Sequence, residues 1–436
     1  MGTPTSISPI MQSVCVEIID SKLPGLLNLR AEFANDKTPD FKYTPLDIES
    51  LHIIQDFEEN YADAIVMRLR IKTQEYIELV RHFEGLKCTV TIAGSNRDQT
   101  EETPLLSFER LVLITDMDDP SEVQDRGDLY GDDGNPAQHD QFTDVQLELI
   151  DQDTYDLRKR QTYFIARQVT IEEILLLFAS MCGFDKVHIV PPDNPKTYEN
   201  FIVPPLLGLN QFLTYVQEHP AYGIYDNGVS VYMTNGVMYI YPKHTVGNVT
   251  QNTTHVYYPG KGQFAGSDIY HTYKDGDIQL LCNSTSTNIK IAQEYQENHP
   301  TEYIVQPINR LLDNWREVQS EKYEITDNID LVQMGAIPGM STNIYTPAYA
   351  NTDNQYALHA RLTPNLREIV THVWNMAIPF TFVPGGLVKY TYEDKDGVKC
   401  RDALCRKAIY EINPVDSYKR LHACVCNFEL LTSIID

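Results

Sequence analysis

The sequence predicts an α+β, β-rich multidomain protein, and three observations carry that reading. Apolar and β-branched residues alternate with polar ones in short runs through much of the chain, which is the period of a half-buried strand. Tyrosine occurs 27 times, and its ring packs on pleated surfaces and at interfaces while its hydroxyl stays wet. The length of 436 residues exceeds what one hydrophobic core organises, so two to four domains are expected. Hydrophobic residues at 42% and charged residues at 22% fit a globular chain rather than a disordered one.

The first domain is expected over residues 1–160. Its strands are read near Val14–Ile19, Leu51–Phe57, Ala64–Ile71, Cys88–Ile92, Phe108–Thr115 and Asp144–Ile150, with Ile53, Val66 and Leu69 as inward-facing candidates. Between two of these strands Gln74–Phe83 carries Tyr76, Ile77, Val80 and Phe83 at helical spacing. An acidic loop at 115–141 holds nine acidic residues against one arginine between Asp116 and Asp140. No register in it sets oxygen ligands at positions 1, 3 and 5 with glycine at 6 and glutamate at 12, so a long loop is read in preference to a calcium site.

A small α/β domain is expected at 161–245. Gln161–Ala166 reads as a strand, and Thr170 reads as the N-cap of a helix that ends near Gly183, with Glu172 and Glu173 in its first turn. A second helix is expected over Leu209–Glu218. Asp226-Asn-Gly and Thr234-Asn-Gly are hairpin-turn signals in the alternating stretch that ends at Pro242. A second β-rich domain is expected at 246–375, with strands near His255–Tyr258 and Ile278–Cys282 and a helix at Leu366–Met376. Residues 376–436 then read as a small C-terminal β domain, with a charged turn at Glu393–Gly397 and strands at Lys407–Ile412 and Arg420–Leu430.

The formal net charge is −26, of which residues 1–160 carry −17, from 32 acidic against 15 basic residues. Such a balance speaks against a surface built to grip DNA or anionic lipid, because those surfaces replace counterions with lysine and arginine. A solvated acidic surface and an acidic wall that repels passing DNA both fit the composition. No apolar run approaches the roughly 20 residues needed to cross a bilayer, and the N-terminus shows no basic region followed by an apolar stretch. Membrane insertion and export by a visible signal are therefore not expected.

Eight cysteines are present, and Cys400, Cys405, Cys424 and Cys426 fall within 27 residues as C-x4-C and C-x-C. Neither spacing is the C-x2-C knuckle of structural zinc. Cys424 and Cys426 should share one strand face, and reduced thiols in a β domain are the main reading, with disulfides and zinc left open. The chain contains no G-x-S-x-G, Walker loop, H-E-x-x-H or strand followed by G-x-G-x-x-G. The twelve histidines are dispersed and the paired carboxylates lie in turns. No catalytic activity, cofactor or metal is expected.

Three stretches carry a family resemblance. The run Ser50–Tyr76 with Leu86–Gly94, read as strand, acidic turn, strand, short helix, strand, resembles the opening domain of the baseplate hub proteins of contractile-tailed bacteriophages, a tube-like β-barrel with a small helix on its flank. The block Arg160–Pro242, with its loop Val190-Pro-Pro-Asp-Asn-Pro, is similar to the α/β domain of those hubs, and the final β block resembles their closing domain. The resemblance implies a structural virion protein, assembled in the host cytoplasm, that forms a homotrimeric ring from two tube-like barrels per subunit. That ring would join the central spike protein to the tail tube protein, contact other baseplate proteins and surround a channel for DNA that passes without specific binding. Asp116, Asp118, Asp119, Asp132 and Asp133 are the candidate channel or loop acids. A tube-initiating or distal-tail protein of another tail type, or a carbohydrate-binding or wall-degrading tail protein, remains the alternative.

Overall fold

The computed structural model describes residues 26–35, 38–95, 102–114, 142–184, 186–244, 253–259, 271–282, 367–394, 397–415 and 421–433, together with short segments at 284–287, 302–305, 325–327, 331–334, 342–347, 354 and 356–357. The expected strand at Val14–Ile19, Cys15 and the loop acids Asp116, Asp118, Asp119, Asp132 and Asp133 lie outside these residues.

The opening part carries the five later strands and the helix expected there, together with two strands and a short helix that were not expected. Strands β1 (Leu26–Asn35), β2 (Thr38–Tyr43), β3 (Ile48–Asp56) and β4 (Ala64–Lys72) lead into helix α1 (Thr73–Arg81), followed by β5 (Lys87–Ser95), β6 (Glu102–Ile114), β7 (Phe142–Ile150) and a short helix α2 (Gln152–Lys159). In β4 the buried side chains are Ile65, Met67, Leu69 and Ile71, while Arg68 and Arg70 stand in solvent. Val66 shares their outward parity and is only half-buried, which corrects its expected inward position; Ile53 and Leu69 are fully buried as expected. Helix α1 lies over this sheet through Tyr76 and Leu79.

The α/β unit follows with β8 (Gln161–Thr170), α3 (Ile171–Cys182), β9 (Lys186–Ile189), β10 (Thr197–Gly208), a single 3₁₀ turn at Leu209–Gln211, α4 (Phe212–Glu218), β11 (Val229–Thr234) and β12 (Val237–Pro242). Thr170 caps α3 in a full capping box: its hydroxyl accepts from the Glu173 N–H at 3.3 Å, and the Glu173 carboxylate accepts from the Thr170 N–H at 2.8 Å. Phe178 of α3 and Phe212 of α4 stack at 5.2 Å, and with Phe201 and Ile240 they belong to a core separate from that of the large sheet. Asn235 and Gly236 turn the β11–β12 hairpin with φ of 49° and 74°, the left-handed pair that an Asn-Gly turn supplies. The other turn signal, Asp226-Asn-Gly, enters β11 from irregular backbone, with no strand before it, so only one of the two marks a hairpin.

The rest of the chain adds β13 (Thr254–Tyr258), β14 (His271–Lys274), β15 (Asp277–Leu281), β16 (Ser284–Thr287), a four-stranded sheet ordered β17 (Glu302–Val305), β20 (Thr342–Pro347), β19 (Leu331–Met334), β18 (Ile325–Asp327), and then β21 (Arg367–Asn375), β22 (Leu387–Asp394), β23 (Gly397–Pro414) and β24 (His422–Ser433). Residues 367–375 are thus a strand where a helix was expected. Val370, His372 and Trp374 are buried at every second position, and nine consecutive residues pair with β24.

The decisive element is β23. Its 18 residues reach about 60 Å when extended. Gly397–Leu404 pairs with β22, and beyond an irregularity between Cys405 and Lys407 the run Lys407–Ile412 pairs with β3. Strand β24 pairs with β23 from Ala403 to Pro414, pairs with β21, and meets β1 at Leu27–His422. The circuit β23–β3–β4–β7–β6–β5–β1–β24 therefore closes into a ring of eight strands, and β22–β13–β15–β14 and β21–β16 continue the same sheet outward. Residues 376–436 do not form a β domain apart from 1–160. The two segments share hydrogen-bonded strands and one core, in which Leu29, Ile53 and Leu69 belong with Tyr410, Cys426 and Phe428.

Cys405, Cys424 and Cys426 are free, buried thiols of that core, Cys424 and Cys426 on one face as expected, while Cys400 is exposed. Burial pushes the Cys424 and Cys426 thiols well above their ordinary range. His271, 1% exposed, lies edge-on to Trp374 at 5.8 Å. Burial lowers its pKa to about 4, against a smaller upward pull from a hydrogen bond with the Met376 backbone. The unfolded chain thus binds this proton near pH 6.5 and the folded chain does not, so the stability His271 contributes is complete above pH 6.5 and is lost as pH falls toward 4. The expected result is a His271 ring resonance that holds its neutral shift from pH 7 to pH 5 and an acid limb of unfolding that His271→Phe weakens. Titration with a midpoint near 6.5 in the native state would contradict it.

Candidate functional site

The α/β unit sits on the barrel through a polar junction whose members come from distant parts of the chain. The turn after β3 supplies Tyr61 and Asp63, β6 supplies Arg110, and the β11–β12 hairpin supplies Tyr232, Thr234 and Asn235. The side chains of Asp63 and Arg110 are each 4% exposed. Asp63 accepts hydrogen bonds from Gln55 Nε2 at 2.9 Å, the Tyr232 hydroxyl at 2.8 Å and the Thr234 hydroxyl at 2.7 Å, and Arg110 Nη2 stands 3.8 Å away. Burial pushes the Asp63 carboxyl upward against the pull of those donors and of Arg110. Arg110 in turn donates to Asn235 Oδ1 at 3.0 Å, lies 3.4 Å from the Asp151 carboxylate that caps α2, and rests over the Phe108 ring at 5.1 Å.

Backbone contacts lock the same seam. The Met233 N–H donates to the Tyr61 carbonyl at 2.8 Å, and the Ser230 and Tyr241 hydroxyls both donate to the Phe57 carbonyl, at 3.0 and 3.1 Å. At its other side the seam meets the irregularity of β23. There Arg406 pairs with Glu58 and, at 3.0 Å, with Glu429; Lys243 stands 3.8 Å from Glu58, and Lys407 lies 3.1 Å from Asp56. Burial alone would raise the Asp56 carboxyl, but the Glu59 and Glu58 N–H groups together with Lys407 hold it below the usual range. One charged cluster therefore fastens β3, β23, β24 and the hairpin together.

Sequence reading found none of this junction, although one signal for it exists. Arg110 occupies the inward parity of β6 between Phe108 and Val112, and a charge at a core register position requires a buried partner. The expected acids Asp116, Asp118, Asp119, Asp132 and Asp133 lie outside the described residues. Among the described residues no group of three or more histidine, cysteine or acidic side chains is arranged to hold a metal ion, and no helix is long and apolar enough to cross a membrane.

Closed barrel, inserted unit and buried seam define the class: a β-rich multidomain protein whose parts are joined by internal ion pairs and shared strands. Within that class the chain belongs to the family described as Bacteriophage PBS1 gene 109 protein, whose model matches residues 28–312. No curated protein matches the chain. Among solved structures it is similar to the tail protein from Neisseria meningitidis MC58, at 10% identity over 92% of this chain and 96% of that one with a TM-score of 0.47. It is likewise similar to the prophage MuSo2 43 kDa tail protein from Shewanella oneidensis, at 10% identity, 92% and 98% coverage and a TM-score of 0.47. A third is prophage tail protein gp18 from Listeria monocytogenes EGD-e, at 11% identity, 94% and 95% coverage and a TM-score of 0.41.

Proposed function

We propose that this protein is a structural component of a bacteriophage tail, the baseplate hub, acting through geometry and not through catalysis. In this reading three copies form a ring around the DNA channel, with the tail tube on one side and the central spike on the other. The observation that supports it most directly is the sharing of β23 and β24 between two halves of one sheet. A subunit whose two β halves run on common strands carries both as one unit, and three such subunits offer six β elements to a sixfold tube. Membership in a bacteriophage family and the formal charge of −26 agree with a virion part that DNA passes without binding. Asp116, Asp118, Asp119, Asp132 and Asp133 are proposed to belong to the edge of that channel.

The test is a reconstruction of the phage particle. Three copies of this chain around the axis, between tube and spike, are the expected outcome. Six or twelve equivalent copies would overturn the hub assignment, and hydrolysis of peptidoglycan by the purified chain would overturn the structural one.

A further inference from the structure

The two-stranded ribbon of β8 and β10 turns one face to the core of the α/β unit and the other to solvent. Phe164, Phe201 and Val203 point inward. On the other face Ile165 and Ile202 stand directly opposite each other across the strands and are 68% and 51% exposed. Tyr163, two residues before Ile165, is 75% exposed, and across from it the register slips between Val203 and Leu207. That irregularity holds Pro204, Pro205 and Leu206, with Leu206 at a φ of 66° and 78% exposed. A bulky residue in the left-handed region is strained, and here the strain accompanies an apolar side chain standing in water.

Among the described residues, this ribbon holds four of the eleven exposed large hydrophobic side chains. Their uncovered surface is on the order of 500 Å², the upper range for a patch that a soluble monomer leaves bare and most of what one partner contributes to a stable interface. Charge bears on where two copies can meet. Two copies of a chain with a formal charge of −26 repel over most of their surface, and a patch whose strand charges are one arginine, Arg167, and one glutamate, Glu199, lets them approach with little charge repulsion.

We propose that the solvent face of the β8–β10 ribbon is the surface on which a second copy of this chain docks. The proposal rests on the ring reading for the identity of the occupant. It is tested on the purified full-length chain by sedimentation analysis up to roughly 50 µM, comparing the natural protein with Ile165→Asp, Ile202→Asp and, as a control on the barrel exterior, Phe142→Asp. All three positions are more than half exposed, so the variants should keep the native circular dichroism spectrum. Expected are a concentration-dependent oligomer for the natural chain and for Phe142→Asp, and association weakened at least about tenfold in each ribbon variant. A monomeric natural chain across that range, or ribbon variants that associate as the natural chain does, would overturn the proposal. A particle with a copy number other than three would overturn the ring reading and leave the self-association result standing.

Discussion

Leu69→Asp should abolish folding of the barrel, whereas Val66→Asp, three residues earlier on the same strand, should leave it folded. Leu69 is fully buried in the core that also holds Ile53, Met67 and Phe428. Aspartate there removes the contacts of a buried leucine and places an unpaired carboxylate among hydrocarbon, and the sum exceeds about 4 kcal/mol. A loss of that size is comparable to the whole stability of an ordinary domain. The closed circuit gives the damage nowhere to stop, because β4 connects β3 to β7 within the ring. Val66 stands on the outward face between His52 of β3 and Glu148 of β7. Aspartate at that position loses some packing and gains a like charge opposite Glu148, a cost of about 1 kcal/mol. Soluble expression, the far-ultraviolet spectrum and incorporation into particles separate the two outcomes. If both variants failed equally, β4 would have no outward face, and if Leu69→Asp folded while Val66→Asp failed, the register would be displaced by one residue.

The same strand shows how much of the fold was legible. Ala64, Ile65, Val66 and Met67 are all apolar, so both parities look buried until Arg68 and Arg70 are used to fix the outward set. Thr170 and Glu173 announced their helix because a capping box is a local device with local residues. The stretch 366–376 misled because Leu366, Ile369, Val370, Val373 and Trp374 also fall at helical spacing, and pairing with β24 decides for the strand. Closure of the barrel left no local trace. The pairing of Tyr410 with Ile53 and of His422 with Leu27 joins residues hundreds of positions apart, and each strand alone reads as part of a small separate domain. The junction was hidden for the same reason: Asp63, Arg110 and Thr234 have no sequence proximity, and only the inward parity of Arg110 marks one of them.

Arg110→Met should loosen the seam between barrel and α/β unit by about 3–5 kcal/mol, the usual consequence of stripping one partner from a buried ion pair. Methionine fills much of the space along β6, so the effect reports the charge more than a cavity. What remains is Asp63, 4% exposed, with three donors but no cation, and the Asn235 and Asp151 oxygens without their guanidinium contact. The second substitution identifies the cause. In Arg110→Met/Asp63→Asn the buried charge is gone, the Asn carbonyl can still accept from Gln55 and Tyr232, and its amide meets the Thr234 hydroxyl, which accepts as readily as it donates. The double variant should therefore recover a large part of the loss, a sign of coupling that independent sites would not give. Because a chain of several parts need not unfold in one step, the readout is amide exchange in peptides spanning residues 55–65 and 229–242. Faster exchange in both peptides for Arg110→Met, reversed in the double variant, is the expected pattern. Unchanged protection in the single variant would mean that the shared backbone contacts at Phe57 and Tyr61 hold the seam without the ion pair.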